Sequence, residues 1–302
     1  MKIAVYGLGR MGKQIATKLV QSNKFEIIVH NRSKQPIDEL ASLGAIPAYD
    51  LKEVINNFND QKVIIWLMLP ADIVDQKIDE LIPILPSGSL VIDGGNSNFN
   101  DTKRRNQKLK ELNIDYMDIG VSGGVWGIKK GFSMMVGSDK EEDYKEIEQI
   151  LICLAEPSGG FGYFGQSGSG HFVKMVHNGI EYGMMESLAE GYRLLKEGPY
   201  KNLDLSKIAN LWQNGSVVQS WLNSLIAEIM SENPDLNNIN GVVAQSGEAK
   251  WSIETAKQIG IDLPIIQKSL DIRLESEQGH INYGTKLLSA MRNKFGGHNL
   301  NN

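Results

Sequence analysis

Short runs of aliphatic and β-branched residues alternate with amphipathic stretches through the first half of the chain. KIAVYG, FEIIVHN, KVIIWLML, SLVIDGG, DYMDIG and FSMMVG read as strands of largely buried character. Apolar residues at helical spacing separate several of them, in Met11–Ser22, Ile73–Ile82 and Thr102–Leu112, with a further helix from Lys140 to Ala155. That order predicts a doubly wound parallel sheet. The segment EPSGGFGYFGQSGSG, residues 156–170, is dense in glycine and reads as a domain junction. Beyond it the strand signals stop, and helical periodicity covers 170–197, 204–214, 216–231, 247–259, 264–277 and 284–294. The expected organisation is an α/β domain over 1–165 and an all-helical domain over 166–302.

Composition narrows the functional classes. The 302 residues give room for two domains, and a net charge of −5 leaves no basic surface for nucleic acid or an anionic membrane. The longest apolar stretch, Val63–Leu69, is far short of the ~20 residues that span a bilayer. Cys153 is the only cysteine, which excludes an internal disulfide and a Cys-built zinc site. The expectation is a soluble, cytoplasmic protein with no metal.

GLGRMG, comprising Gly7, Leu8, Gly9, Arg10, Met11 and Gly12, follows the first strand and opens a helix. The glycines allow a tight turn and let a pyrophosphate approach backbone N–H groups at the helix start, as in a Rossmann-type domain. An NAD site usually carries an acid at the end of the second strand. Here Asn31, Arg32 and Ser33 stand there instead. An amide, a guanidinium and a hydroxyl suit a 2′-phosphate, so NADP is the expected cofactor and NAD the alternative.

GHFVKMVHNGIEYG, residues 170–183, places Lys174, His177, Asn178 and Glu181 at i, i+3, i+4 and i+7 of a helix. They fall within an arc of about 100° along about 10 Å. Phe172, Val173, Met175, Val176 and Ile180 are expected to supply the buried faces. Such a stripe is either a buried polar network, in which Lys and Glu pair, or the wall of a ligand cleft. Hydride removal from a secondary alcohol needs a base at the hydroxyl, and a lysine desolvated in an apolar cleft can serve near neutral pH.

These segments resemble those of the 6-phosphogluconate dehydrogenases (decarboxylating), in the short form of the family, over nearly the whole chain. GLGRMG and NRS are similar to the family's cofactor segments, VIDGGNS and GVSGG to its substrate loops, and GHFVKMVHNGIEYG to its signature. GEAKW and RNKFGGH are similar to its phosphate-binding and tail segments. The resemblance implies that Lys174 accepts the proton of the substrate 3-hydroxyl and that Glu181 protonates the enediol left after CO2 departs. It implies that Asn178 and His177 hold hydroxyls, and that Asn96, Ser122, Gly123 and Gly124 position the carboxylate end. Tyr182, Lys250, Ser252 and Arg273 would take the phosphate of 6-phosphogluconate. Leu69, Pro70 and Asn96 would border the cofactor. Arg292 and His298 match tail residues that complete a neighbouring subunit's site, which implies a homodimer or homotetramer.

The chain departs from the long enzymes in four ways. It has room for one helical repeat, it carries LPADIV where they have a lysine-containing loop, Ala249 stands where glycine is expected, and GVWGIKKG stands after Ser122, which suits the short form. A related β-hydroxyacid dehydrogenase of the 3-hydroxyisobutyrate type would share the glycine turn, the Ser-Gly-Gly loop, the lysine and the asparagine. It would need neither Glu181 nor Lys250, Arg273 and Arg292. A non-catalytic nucleotide-sensing protein is the alternative of a different class, and it would explain neither Lys174 nor Glu181.

Overall fold

The computed structural model describes residues 1–297 and 300. The chain divides into two compact units, Met1–Met175 and Val176–Asn302.

The first unit is built on one eight-stranded sheet in the order β3-β2-β1-β4-β5-β6-β7-β8. Its strands are β1 (Lys2–Tyr6), β2 (Glu26–His30), β3 (Ile46–Ala48), β4 (Ile64–Leu67), β5 (Leu90–Asp93), β6 (Asp115–Ser122), β7 (Ser133–Ser138) and β8 (Gly160–Tyr163). Alternate residues of β1 feed opposite cores. Ile3 and Val5 pack with Ile15, Leu19, Ile147 and Leu151 on one face. Ala4 and Tyr6 pack with Val54, Val74, Ile78 and Leu109 on the other. The helices that supply these residues are α1 (Arg10–Gln21), α3 (Leu51–Asn56), α4 (Ala71–Leu81), α5 (Phe99–Lys110) and α7 (Glu141–Ala155); α2 (Lys34–Ala41) and α6 (Gly127–Lys130) are short.

Two expectations about the sheet need correction. β6 and β7 pair antiparallel, Ser122 opposite Ser133, not parallel. The link between them holds only a 3-10 turn, Gly124–Trp126, and α6, too little for the crossover that a parallel pair needs. The glycine-rich junction contains β8, which pairs parallel with β7. In GFGY the aromatics are the packed residues, with Phe161 and Tyr163 lying against Tyr144, while the glycines hide the alternation.

The second unit is all-helical among its described residues. It contains most of α8 (Ser169–Glu197), then α9 (Leu205–Trp212), α10 (Trp221–Glu232), α11 (Glu248–Gln258), α12 (Pro264–Glu277) and α13 (Tyr283–Gly296). The helix expected from 216 begins later because the Ser220 side chain caps it, accepting from Asn223 N. Met185, Ala189 and Tyr192 of α8 share a core with Ile226, Leu287 and Met291. The Tyr192 hydroxyl donates to Asn223 Oδ1 at 2.7 Å, satisfying both polar groups inside that core.

The division between the two compact units falls inside α8. Its first turns are fastened to the sheet, where Asp118 of β6 accepts backbone hydrogen bonds from Gly168 (2.6 Å) and His171 (2.7 Å). A Cβ on Gly120 would lie 2.3 Å from the Lys174 Cβ, so only glycine lets strand and helix approach this closely. The burial of α8 also differs from expectation. Lys174 and Asn178 are buried, while Phe172, Val176, Ile180 and Met184 form an exposed stripe. The inward side of the helix is lined by glycines 170, 179 and 183 and polar residues, which admit close neighbours. Among the described residues no helix is long and apolar enough to cross a membrane.

Candidate active site

In the first unit, loops from the C-terminal ends of β1, β4 and β5 converge where the strand order reverses. Gly7 has φ +102°, and a Cβ there would meet Met68 O at 2.5 Å and Leu69 Cδ2 at 2.8 Å. At Gly12 a Cβ would lie 1.9 Å from Gly7 O. Gly9, the N-cap of α1, has nothing within 4 Å of its would-be Cβ. The turn is thus closed by two glycines and open over the third, at the N-terminal end of α1. That cradle fits a pyrophosphate. Arg10 opens α1, with Leu8 buried and Met11 packed against the core below.

Asn31 braces this turn. Its Oδ1 accepts from Leu8 N at 3.0 Å and its Nδ2 donates to Ser33 Oγ at 2.9 Å. Arg32 and Ser33 are exposed. Leu69 lies against the glycine turn and its carbonyl crowds Gly95, while Pro70 caps α4 at the surface.

Asn96 is exposed in the loop after β5, and no local sequence pattern announces what holds that loop. Asp93, fully buried, accepts from Gly95 N (3.1 Å), Ser97 Oγ (2.8 Å) and the Tyr116 hydroxyl (3.0 Å). Arg105 of α5 donates to Asp93 (3.1 Å), Ser97 Oγ (3.0 Å), Ala71 O (3.2 Å) and both oxygens of Asp75. One guanidinium therefore ties the loop after β4 to the loop after β5. Hydrogen bonds from Arg104 and Arg105 hold the Asp75 carboxyl well below the usual carboxylate range. The DTKRR segment that carries Arg104 and Arg105 reads in sequence as an exposed amphipathic helix.

Ser122 ends β6, and Gly123 (φ +126°) and Gly124 (φ +53°) follow in a backbone that favours glycine. Lys174 is buried beside Gly120. A turn earlier, His171 is buried with Nδ1 2.7 Å from Thr102 Oγ1. Burial pushes the Asp118 carboxyl up, against the pull of His171 and two backbone N–H donors.

In the second unit, the His177 Nδ1 lies 2.9 Å from Asn178 Oδ1 and 4.0 Å from Glu181 Oε2. Asn178 Nδ2 donates to Glu248 Oε1 at 2.9 Å. Tyr182 is buried, with its hydroxyl accepting from Ser246 N at 3.3 Å. The Arg273 guanidinium stacks 3.3 Å from the Tyr182 ring centroid and is only 3 % exposed. It reaches Met185 Sδ at 3.7 Å but makes no ion pair among the described residues. Burial pulls the Arg273 pKa down, and the charge of Arg292 on α13 adds to that. A buried cation stacked on an aromatic, with no ion pair among the described residues, has the chemistry to hold an anion. Ser252 is buried nearby, its Oγ donating to Glu248 O at 2.9 Å. Lys250 faces outward, 3.9 Å from Glu254. His298 lies outside the described residues. Among those described, no cluster of three or more His, Cys, Asp or Glu is placed to hold a metal ion.

Fold and turn define a dinucleotide-binding protein of the doubly wound class with a helical second unit. The family model for the NAD binding domain of 6-phosphogluconate dehydrogenase matches residues 2–165, and that for the 6-phosphogluconate dehydrogenase C-terminal domain matches residues 170–281. The chain belongs to the 6-phosphogluconate dehydrogenase family. It is 37% identical to the NAD(+)-dependent, decarboxylating 6-phosphogluconate dehydrogenase of Haloferax volcanii, over 99% of this chain and 98% of that one. Among solved structures it is similar to Plasmodium falciparum 6-phosphogluconate dehydrogenase, with a TM-score of 0.80 at 29% identity, covering 96% of this chain and 70% of that one. That protein was solved with its cofactor NADP+ and with its substrate 6-phosphogluconate. The 3-hydroxyisobutyrate dehydrogenase of Mycobacterium tuberculosis shares the fold, with a TM-score of 0.75 at 16% identity over 95% of this chain and 97% of that one.

Proposed function

We propose that this chain oxidatively decarboxylates 6-phospho-D-gluconate to D-ribulose 5-phosphate and CO2, using NADP with NAD as the alternative acceptor. The observation that carries the reading is the face of α8, where buried Lys174 and Asn178 lie one turn apart and His177 and Glu181 follow on the same side.

The turn Gly7–Gly12 would hold the cofactor's pyrophosphate, with Asn31, Arg32 and Ser33 at its ribose. A nicotinamide held there would supply the acceptor for the hydride that leaves C3 of the substrate. Lys174 takes the proton of the 3-hydroxyl as the C–O bond becomes a carbonyl. The C1–C2 bond then breaks, CO2 leaves, and the electron pair moves into the enolate. Lys174, now an ammonium, stabilises that oxygen and returns its proton to give the enediol. Glu181 donates a proton to the carbon that carried the carboxylate while the Lys174 amine takes back the enol proton, and the ketone forms. Asn178 and His177 orient hydroxyls, and Asn96, Ser122, Gly123 and Gly124 receive the carboxylate end. Arg273, Tyr182 and Ser252 take the phosphate dianion, with Lys250 at the rim. A short-form member with an exposed apolar stripe on α8 is proposed to work as a homodimer or homotetramer in the cytoplasm, with Arg292 and His298 completing the site.

Steady-state kinetics on 6-phosphogluconate with NADP and NAD test this. Lys174→Ala should abolish turnover while leaving cofactor affinity within about two-fold, and Glu181→Gln should lower kcat about 100-fold with little change in KM. Turnover of only a small unphosphorylated hydroxy acid would overturn the assignment.

A further inference from the structure

Glu248 stands at the first position of α11, directly after Gly247 at φ +101°. Its side chain turns inward, leaving the residue 2 % exposed. Oε1 accepts from Asn178 Nδ2 at 2.9 Å, and Oε2 is buried with no hydrogen-bond partner among the described residues. A buried carboxylate that takes one donor where it has room for about four demands an explanation. The start of α11 offsets part of the charge, but Lys250, the nearest cation in sequence, faces Glu254 instead.

The hydrogen bonds have a fixed polarity. Asn178 turns its NH2 toward Glu248 Oε1 and its carbonyl oxygen toward His177. His177 Nδ1, 2.9 Å from that oxygen, must then carry the proton. We propose that Glu248 is a substrate-positioning residue, which sets the Asn178 amide and the His177 tautomer through this chain and whose Oε2 accepts a hydroxyl of the polyol acid. This rests on the substrate reading above and deepens it. Such a site favours a polyhydroxylated acid over a small hydroxy acid with a single hydroxyl, because the latter leaves Oε2 unpaired.

The test is Glu248→Gln on the full chain, assayed with 6-phosphogluconate and its singly deoxygenated analogues, together with 15N NMR of His177. Glu248→Gln should raise KM for 6-phosphogluconate about ten-fold, leave NADP affinity unchanged, and lose most of that penalty on one analogue only. Wild-type His177 should show Nδ1 protonated, and the variant a mixture of tautomers. An equal penalty on every analogue, or an unchanged KM, overturns the hydroxyl contact. A wild-type ring protonated at Nε2 overturns the positioning chain, and that measurement needs no variant. A wild type that leaves 6-phosphogluconate untouched refutes the substrate assignment instead, while the tautomer still reports on the chain.

Discussion

Glu186 shows how one α8 side chain couples the anion site to pH. It is buried, its Oε2 has no partner among the described residues, and desolvation pushes its carboxyl up to about 7. The charge of Glu190 adds to that shift, while Arg273 and Lys268 oppose it. The folded chain therefore holds a proton that the unfolded chain, near 4.5, releases. The stabilisation is complete below the unfolded value and is lost as pH rises through the folded one. Glu186→Gln should match wild type below about pH 4 and exceed it by about 1–3 kcal/mol at pH 8, measured by urea unfolding. Arg32, exposed beside Asn31, makes a sharper prediction for binding. Arg32→Ala should weaken NADP about ten-fold more than NAD in titrations of cofactor fluorescence, and equal losses would remove the preference for the phosphorylated cofactor. The glycine turn and the α8 stripe were legible in sequence because their function needs fixed local spacing. Glu248 was not, because its partner Asn178 lies 70 residues away, and Asp93 was not, because its partners Arg105 and Tyr116 come from other elements, 12 and 23 residues away.

Elements carry the next level of the argument, since α5 and α8 each contribute more than their patterns announce. Arg105 binds the N-terminal turn of α4 to the loop after β5 through Ala71 O, Asp75, Asp93 and Ser97. Arg105→Leu would leave Asp93 buried and without a cation, at a cost of about 3–5 kcal/mol. Arg105→Lys keeps the charge but loses the fork, so a fall in stability with cofactor and substrate KM both raised is expected for it. Differential scanning calorimetry and kinetics on the same samples check this; a lysine variant with unchanged KM values would confine Arg105 to stability. The strands of the first sheet were readable because both faces are covered, which turns β1, β4 and β5 into unbroken apolar runs. β3 has only three residues and β8 alternates glycine with aromatics, so neither presents that signal. The helical period of α8 was equally plain, but its direction was not. Period fixes which residues share a face, whereas the neighbours decide which face is buried, and glycines at 120, 170 and 179 brought the polar side inward.

At the scale of the whole molecule, that reversal leaves an apolar row exposed on α8. Val176, Ile180 and Met184 stand one turn apart on α8 and are 37, 53 and 45 % exposed, with Ile265 of α12 exposed beside Gly183. An aliphatic row of this kind on the helix that also carries the proposed chemistry is costly to leave in water. A second copy of the chain would cover it by setting the same stripe against itself about a two-fold axis, the commonest way for identical surfaces to match. Ile180→Glu puts a charge into the middle of that row and, in a self-matched interface, places two carboxylates close together. The expected outcome is a shift from dimer or tetramer to monomer by sedimentation velocity, with the thermal midpoint of the remaining fold little changed because Ile180 is exposed within one chain. If assembly also completes the site through the segment beyond α13, turnover should fall with dissociation and recover as protein concentration is raised. An Ile180→Glu protein that sediments as wild type would move the subunit contact elsewhere on the helical unit.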